Sequence, residues 1–140
     1  MDFSYLITPF AAWLVAGCLK FAINSLRAGK LAFGLIGYGG LPSNHSAIVS
    51  SMAALIALRE GIGHPAFGVA VTLAFIVLLD ASSLRRQVGR QAEAINRLRG
   101  PQDTPLRERM GHTPVEMAAG VAVGCAVAWA VNGAAARFWG

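Results

Sequence analysis

PVEMAAGVAVGCAVAWAVNGAAARF, residues 114–138, carries Glu116 near its start and Arg137 near its end, with no other charged residue between them. A helix needs ~20 apolar residues to cross a bilayer, so this stretch reads as a membrane span. Working outward, an apolar stretch at about Tyr5 to Phe21, continuing as helix to Leu26, meets the same requirement. Two shorter stretches, at about 46–60 and 65–80, need local thinning of the bilayer or shielding by neighbours. The expectation is an all-α integral membrane protein, one membrane domain over 1–140, with about four transmembrane helices at 5–26, 46–60, 65–80 and 113–138.

Composition agrees. The chain has 140 residues, 55% hydrophobic and only 14% charged, with a mean hydropathy of +0.53. A soluble domain is about a quarter charged, so a soluble fold would leave a large apolar surface in water. Disorder is excluded on the same ground. The net charge of +5 reports topology or anionic headgroups before nucleic acid, which is not an expected partner. Cys18 and Cys125 sit in apolar runs with no metal-ligand spacing and read as packing residues. The N-terminus lacks the basic region of a cleaved signal peptide.

Between the first two spans, Leu31 to Gly40 reads LAFGLIGYGG, too rich in glycine for a helix. It suits a re-entrant or interfacial loop, because irregular backbone at membrane depth lines protein cavities. Between the last two spans lies a basic segment, 81–111. Leu84, Val88, Ala92, Ile95 and Leu98 recur there at helical spacing, which predicts an amphipathic helix on the membrane surface. Lys20, Arg27, Lys30 and the arginines of the basic segment fall on one side of a four-span arrangement, and Arg59 and Arg137 on the other. The positive-inside rule then puts the basic segment in the cytoplasm and both termini outside.

The same arrangement gathers polar residues at that cytoplasmic face. Lys20 and Arg27 are seven apart, on one face of the first span. Taken alone, the pair also fits a Lys and an Arg snorkelling to the interface. In Pro42-Ser43-Asn44-His45-Ser46, Ser43 or Asn44 can cap the second span, whose free N–H groups favour an anion beside His45. His112 and Glu116 are i and i+4 at the start of the last span, so the carboxylate can hold the imidazole in one tautomer. Thr113 and Pro114 also fit a plain helix start. Asp80 stands before Arg85 and Arg86, where it can end a span, orient an arginine or ligate a cation. His64 reads as a turn residue. Several cations, two helix starts and two histidines suit a phosphate, with one histidine attacking phosphorus and the other protonating the leaving oxygen.

These motifs resemble the type-2 phosphatidic acid phosphatases, which are related to vanadium haloperoxidases. Lys20 and Arg27 keep the spacing of that family's first motif, with Ala28 in place of a proline. Pro42-Ser43-Asn44-His45 is similar to the second, and His112 with Glu116 to the end of the third. The arginine of the third motif is absent, since position 106 is leucine, which leaves Arg107, Arg85 or Arg86 to replace it. The match is closer to a divergent bacterial and plastid branch. GGLPSNHSA from Gly39, DASSLRR from Asp80 and GHTPVEM from Gly111 resemble its motifs, as do Gln91-Ala92 and Asn96.

The resemblance implies a phosphatase with His112 as nucleophile, oriented by Glu116, and His45 as general acid. Asp80 joins these as a catalytic candidate. Lys20, Arg27, Ser43, Asn44 and Arg85 or Arg86 would bind phosphate. No metal site or cofactor is expected, with Mg2+ assistance left open by Asp80. The expected substrate is a phospholipid such as phosphatidylglycerol phosphate or phosphatidic acid, or an isoprenoid phosphate such as a polyprenyl diphosphate, in a bacterial inner membrane. A homodimer fits the small size. The competing reading is a non-hydrolytic lipid or anion carrier that retains the phosphate pocket.

Overall fold

Polar side chains cap the starts of three of the helices. The computed structural model describes residues 2–33, 40–99 and 103–138. Helix α1 spans Ser4–Ala28, α2 Asn44–Arg59, α3 Pro65–Leu79, α4 Arg85–Leu98 and α5 Pro114–Phe138. Most of the Gly-rich loop, residues 34–39, lies outside the described residues. Ser43 caps α2, its side chain accepting from the Ser46 N–H at 3.3 Å. His64, expected in a turn, caps α3 by accepting from the Ala66 N–H through Nδ1. Thr113 and Glu116 form a reciprocal capping box at the start of α5: Thr113 N–H donates to Glu116 Oε2 at 2.9 Å, and Glu116 N–H to Thr113 Oγ1 at 3.2 Å.

The chain is an all-helical integral membrane protein. Among the described residues, three helices are long and apolar enough to cross a membrane: Ser4–Ala28, Pro65–Leu98 and Pro114–Arg137. The fourth, α2, is only 16 residues, about 24 Å of helix against a hydrocarbon core of ~30 Å. It is shielded instead, packing against α1, α3 and α5. Lipid gives helices no hydrophobic reason to associate, so close backbone packing has to hold them. The seam between α2 and α5 supplies it through Gly120 and Gly124, four apart on α5. A Cβ on Gly124 would overlap Ser50 Oγ and Ala47 O, and one on Gly120 would stand 2.7 Å from Ser46 Cβ. Ala12, Ala16 and Ala47 pack beside Val123 and Val127 to extend this small-residue core.

The amphipathic helix differs from its expectation in one respect. It is not a separate foot, because α3 and α4 are joined by a π-helical turn, Asp80–Leu84, into one run over Pro65–Leu98. That run is 34 residues, or about 51 Å, so its basic end must leave the apolar core. Its apolar stripe stays uncovered by protein: Leu84, Val88, Ile95 and Leu98 are all exposed.

At the opposite end of the bundle, Arg59 ties three helices together. It donates to Asn132 Oδ1 at 2.9 Å and to Ser4 Oγ at 3.2 Å, and pairs with Asp2. Hydrogen bonds from Ser4, and then the one from Arg59, hold the Asp2 carboxyl at about 2.

Candidate functional site

A cavity of about 710 Å³ opens where the C-terminal half of α1 meets the start of α2. Its α1 wall carries Trp13, Gly17, Lys20 and Asn24, at i, i+4, i+7 and i+11 on one face. Asn44 and His45 come from the first turn of α2, with Ile48 one turn further in. Arg85 from α4, and Arg107 and His112 from the segment before α5, close the polar end. Trp13 and Leu14 lie about 10 Å further along α1 than Lys20. Both line the cavity and both are about half exposed on the outer face of α1, so the apolar end opens sideways towards lipid.

The two histidines face one another at the polar end. Their ring centroids are 5.8 Å apart, with planes inclined at 56°. His112 is buried, and its Nδ1 donates to Glu116 Oε2 at 3.2 Å. A carboxylate only accepts, so the proton sits on Nδ1 and Nε2 carries the free lone pair. Burial pushes the His112 imidazole below its ordinary value. The hydrogen bond with Glu116 opposes that shift, while the charges of Lys20 and Arg85 add to it. The net direction favours the uncharged ring.

His45 is held differently. Arg85 Nη2 lies 3.3 Å from His45 Nε2, and Asp80 Oδ2 accepts from Arg85 Nε at 3.3 Å. Arginine has donors only, so Nε2 of His45 is the acceptor here. His45 Nδ1 is buried without a partner among the described residues, as are Asn44 Oδ1 and Ser46 Oγ. Asp80 therefore orients an arginine. Among the described residues, no three His, Cys, Asp or Glu side chains are grouped to hold a metal ion.

The π-turn makes both arrangements. The Arg85 N–H bonds to Asp80 O, one residue further back than in an α-helix. Ala81 O instead accepts the N–H of His112 at 2.9 Å. The same five residues thus present Arg85 and anchor the backbone of His112. Gly111 allows the approach: its φ is +89°, and a Cβ there would stand 3.3 Å from the Arg86 backbone nitrogen.

Of the residues expected from sequence, Lys20, Asn44, His45, Arg85 and His112 line the cavity, with Glu116 and Asp80 bracing them from behind. Three others lie off it. Ser43 is fully buried as the α2 cap, its N–H donating to Glu116 O at 2.9 Å. Arg27 is exposed at the end of α1, about one turn past Asn24. Arg86 is exposed and turned to Ser82 O at 2.7 Å. Sequence reasoning missed Asn24, although a polar residue four beyond Lys20 was a usable signal. It also missed Trp13, Phe33 and Met110, whose apolar types carry none.

A family model described as "Divergent PAP2 family" matches residues 1–127. An uncharacterized membrane protein, YuiD of Bacillus subtilis (strain 168), is 32% identical over 131 residues, covering 80% of this chain and 83% of that protein. No solved structure matches. The chain belongs to the divergent PAP2 family.

Proposed function

We propose that this protein is a membrane lipid phosphatase working through a phosphohistidine. The observation that carries the proposal is the pairing of His112 and His45, 5.8 Å apart, at the cationic end of a cavity whose other end is apolar and open to lipid. The phosphate of a lipid whose tail lies along Trp13 and Leu14 would reach Lys20 and Arg85.

In this reading Nε2 of His112 attacks phosphorus as the P–O bond to the lipid alcohol breaks. Glu116 offsets the positive charge that develops on the ring. Lys20 and Arg85 neutralise the phosphoryl oxygens. The incoming phosphate competes for the Arg85 guanidinium, which frees His45 Nε2 to take up a proton and deliver it to the leaving oxygen. Water then attacks the phosphohistidine, with His45 accepting the water proton, and inorganic phosphate leaves. The protein's own side chains carry every step. The exposed basic residues at the polar end of the cavity favour a cytoplasmic site in a bacterial inner membrane, and so a phospholipid made on that leaflet.

The test is phosphate release by purified protein in liposomes from phosphatidylglycerol phosphate, phosphatidic acid and a polyprenyl diphosphate. Each is run with Mg2+ and with chelator, beside His112→Ala and His45→Ala. Release from one lipid, lost in both variants, is the expected result. Binding of these lipids without release would overturn hydrolysis and favour a carrier.

A further inference from the structure

Asn96 lies outside the cavity, yet it grips the segment that brings Arg107 to it. One face of α4 carries Arg85, Gly89, Ala92 and Asn96, at i, i+4, i+7 and i+11. This face borders the exposed apolar stripe but is itself covered: Gly89 is buried, and so is Ala92, which helical spacing alone assigns to the stripe. A Cβ on Gly89 would overlap Glu108 O, so residues 103–111 form a strap laid directly on the α4 backbone. Asn96 Oδ1 accepts from Leu106 N–H at 2.8 Å, and Asn96 Nδ2 donates to Leu106 O at 2.8 Å and to Glu108 Oε1 at 2.9 Å. Among short side chains a carboxamide alone offers a donor and an acceptor side by side, so it can hold both backbone groups of one residue. The other end of the strap is fixed by His112 N–H on Ala81 O. Arg107 and Met110 stand between these two anchors and line the cavity.

We infer that Asn96 is a positioning residue for the anion site: by clamping Leu106 it sets the adjacent Arg107 at the polar end of the cavity, where Arg107 binds the phosphate. The inference rests on reading that cavity as a phosphate site. It gives the long helix a second task, since the face that starts with Arg85 in the cavity continues as the platform for a second arginine. Fixing the backbone at Leu106 lowers the entropy lost when a long arginine side chain is immobilised on an anion.

The test measures binding of inorganic phosphate to the full chain in detergent by calorimetry, for Asn96→Ala, Arg107→Ala and the double variant, with Lys20→Ala and Arg85→Ala as controls. Arg107→Ala is expected to weaken binding about tenfold or more, the loss of a charge-assisted contact. Asn96→Ala is expected to weaken it about three- to tenfold and to add little once Arg107 is gone, because it acts through that residue. With a hydrolysed lipid, Asn96→Ala should raise KM more than it lowers kcat. Equal effects of Asn96→Ala in both backgrounds would make it merely structural and overturn the inference. If Asn96→Ala does not fold, Asn96→Asp, which keeps the acceptor and loses the donor, and Arg107→Ala carry the test. Unchanged binding in Arg107→Ala overturns the inference by itself. If Lys20→Ala and Arg85→Ala still weaken binding, only this inference fails. If none of the variants changes it, the phosphate reading of the cavity fails.

Discussion

Glu116→Gln separates the two tasks of one carboxylate. Glu116 Oε2 accepts from the Thr113 N–H at 2.9 Å, which caps α5, and from His112 Nδ1 at 3.2 Å, which would brace His112 as the proposed nucleophile. Glutamine keeps an acceptor for the cap but removes the charge. The lower bound on the cost is the difference between a charged and a neutral hydrogen bond, about 1 kcal/mol. The upper bound is the attraction between the carboxylate and a fully developed imidazolium, about 4 kcal/mol at ~4 Å and an effective dielectric near 20. At about 1.4 kcal/mol per decade, kcat should fall by roughly 5- to 1000-fold. The pH profile gives the sign independently. Glu116 counteracts the burial that lowers the His112 pKa, so its loss lowers that pKa further. Activity that requires neutral His112 rises with pH through this value, and that limb should move to lower pH in Glu116→Gln. Phosphate release against pH in liposomes, with thermal unfolding in parallel, reads both effects. A kcat within twofold of the parent and an unmoved limb, in protein whose His112→Ala variant is dead, would refute the bracing role and leave Glu116 as a cap.

Asp80→Asn removes the charge that holds Arg85 beside His45, and should weaken inorganic phosphate binding about three- to tenfold in calorimetry while leaving the melting temperature nearly unchanged, because both side chains are partly exposed. Gly124→Ala forces a Cβ into Ser50 Oγ and Ala47 O; overpacking of this kind costs about 1–3 kcal/mol and should appear as early thermal unfolding in detergent. Arg59→Ala unties α1, α2 and α5 at the end away from the cavity, so it should lower the melting temperature without changing phosphate affinity. The Asp2 carboxyl, at about 2 instead of 3.8, contributes stability that is complete above about 3.8 and lost as pH falls through about 2, and this part of the acid unfolding profile should vanish in Asp2→Asn.

How much of this was legible in the sequence depends on how local each cause is. A cap from Ser43 or Asn44, and His112 with Glu116 on one face, follow from spacings of a few residues; Ser43 is the one that caps, and His112 and Glu116 do meet. The end of the third span was harder. The switch to polar residues at Asp80 ends the apolar run, but a helix does not have to stop there; it runs on to Leu98. A π-turn shifts helical phase by about one residue, which a periodicity count absorbs without trace. Gly120 and Gly124 did carry a readable pattern, small residues four apart in a span, but their partner on α2 is not encoded next to them. The grip of Asn96 on Leu106 is less readable still, because it joins a helix to irregular backbone and no periodicity marks it.

The cavity also bears on topology, because basic residues that bind an anion are poor witnesses to orientation. Lys20, Arg85 and Arg107 line the cavity and must be set aside. Arg27, Lys30, Arg86, Arg90, Arg97, Arg99 and Arg109 are exposed outside it at the same end of the bundle. Only Arg59, occupied by Asp2, and Arg137 stand at the other end. The asymmetry therefore survives the subtraction, and the polar end of the cavity is expected to lie on the cytoplasmic side. With Cys18 and Cys125 replaced by alanine, Arg97→Cys should resist a membrane-impermeant maleimide in intact spheroplasts and react once they are lysed. Gly63→Cys, in the turn between α2 and α3, should react in both. The reverse pattern would turn the site outward, and with it the substrate, from a phospholipid of the inner leaflet to a phosphorylated lipid that reaches the outer one.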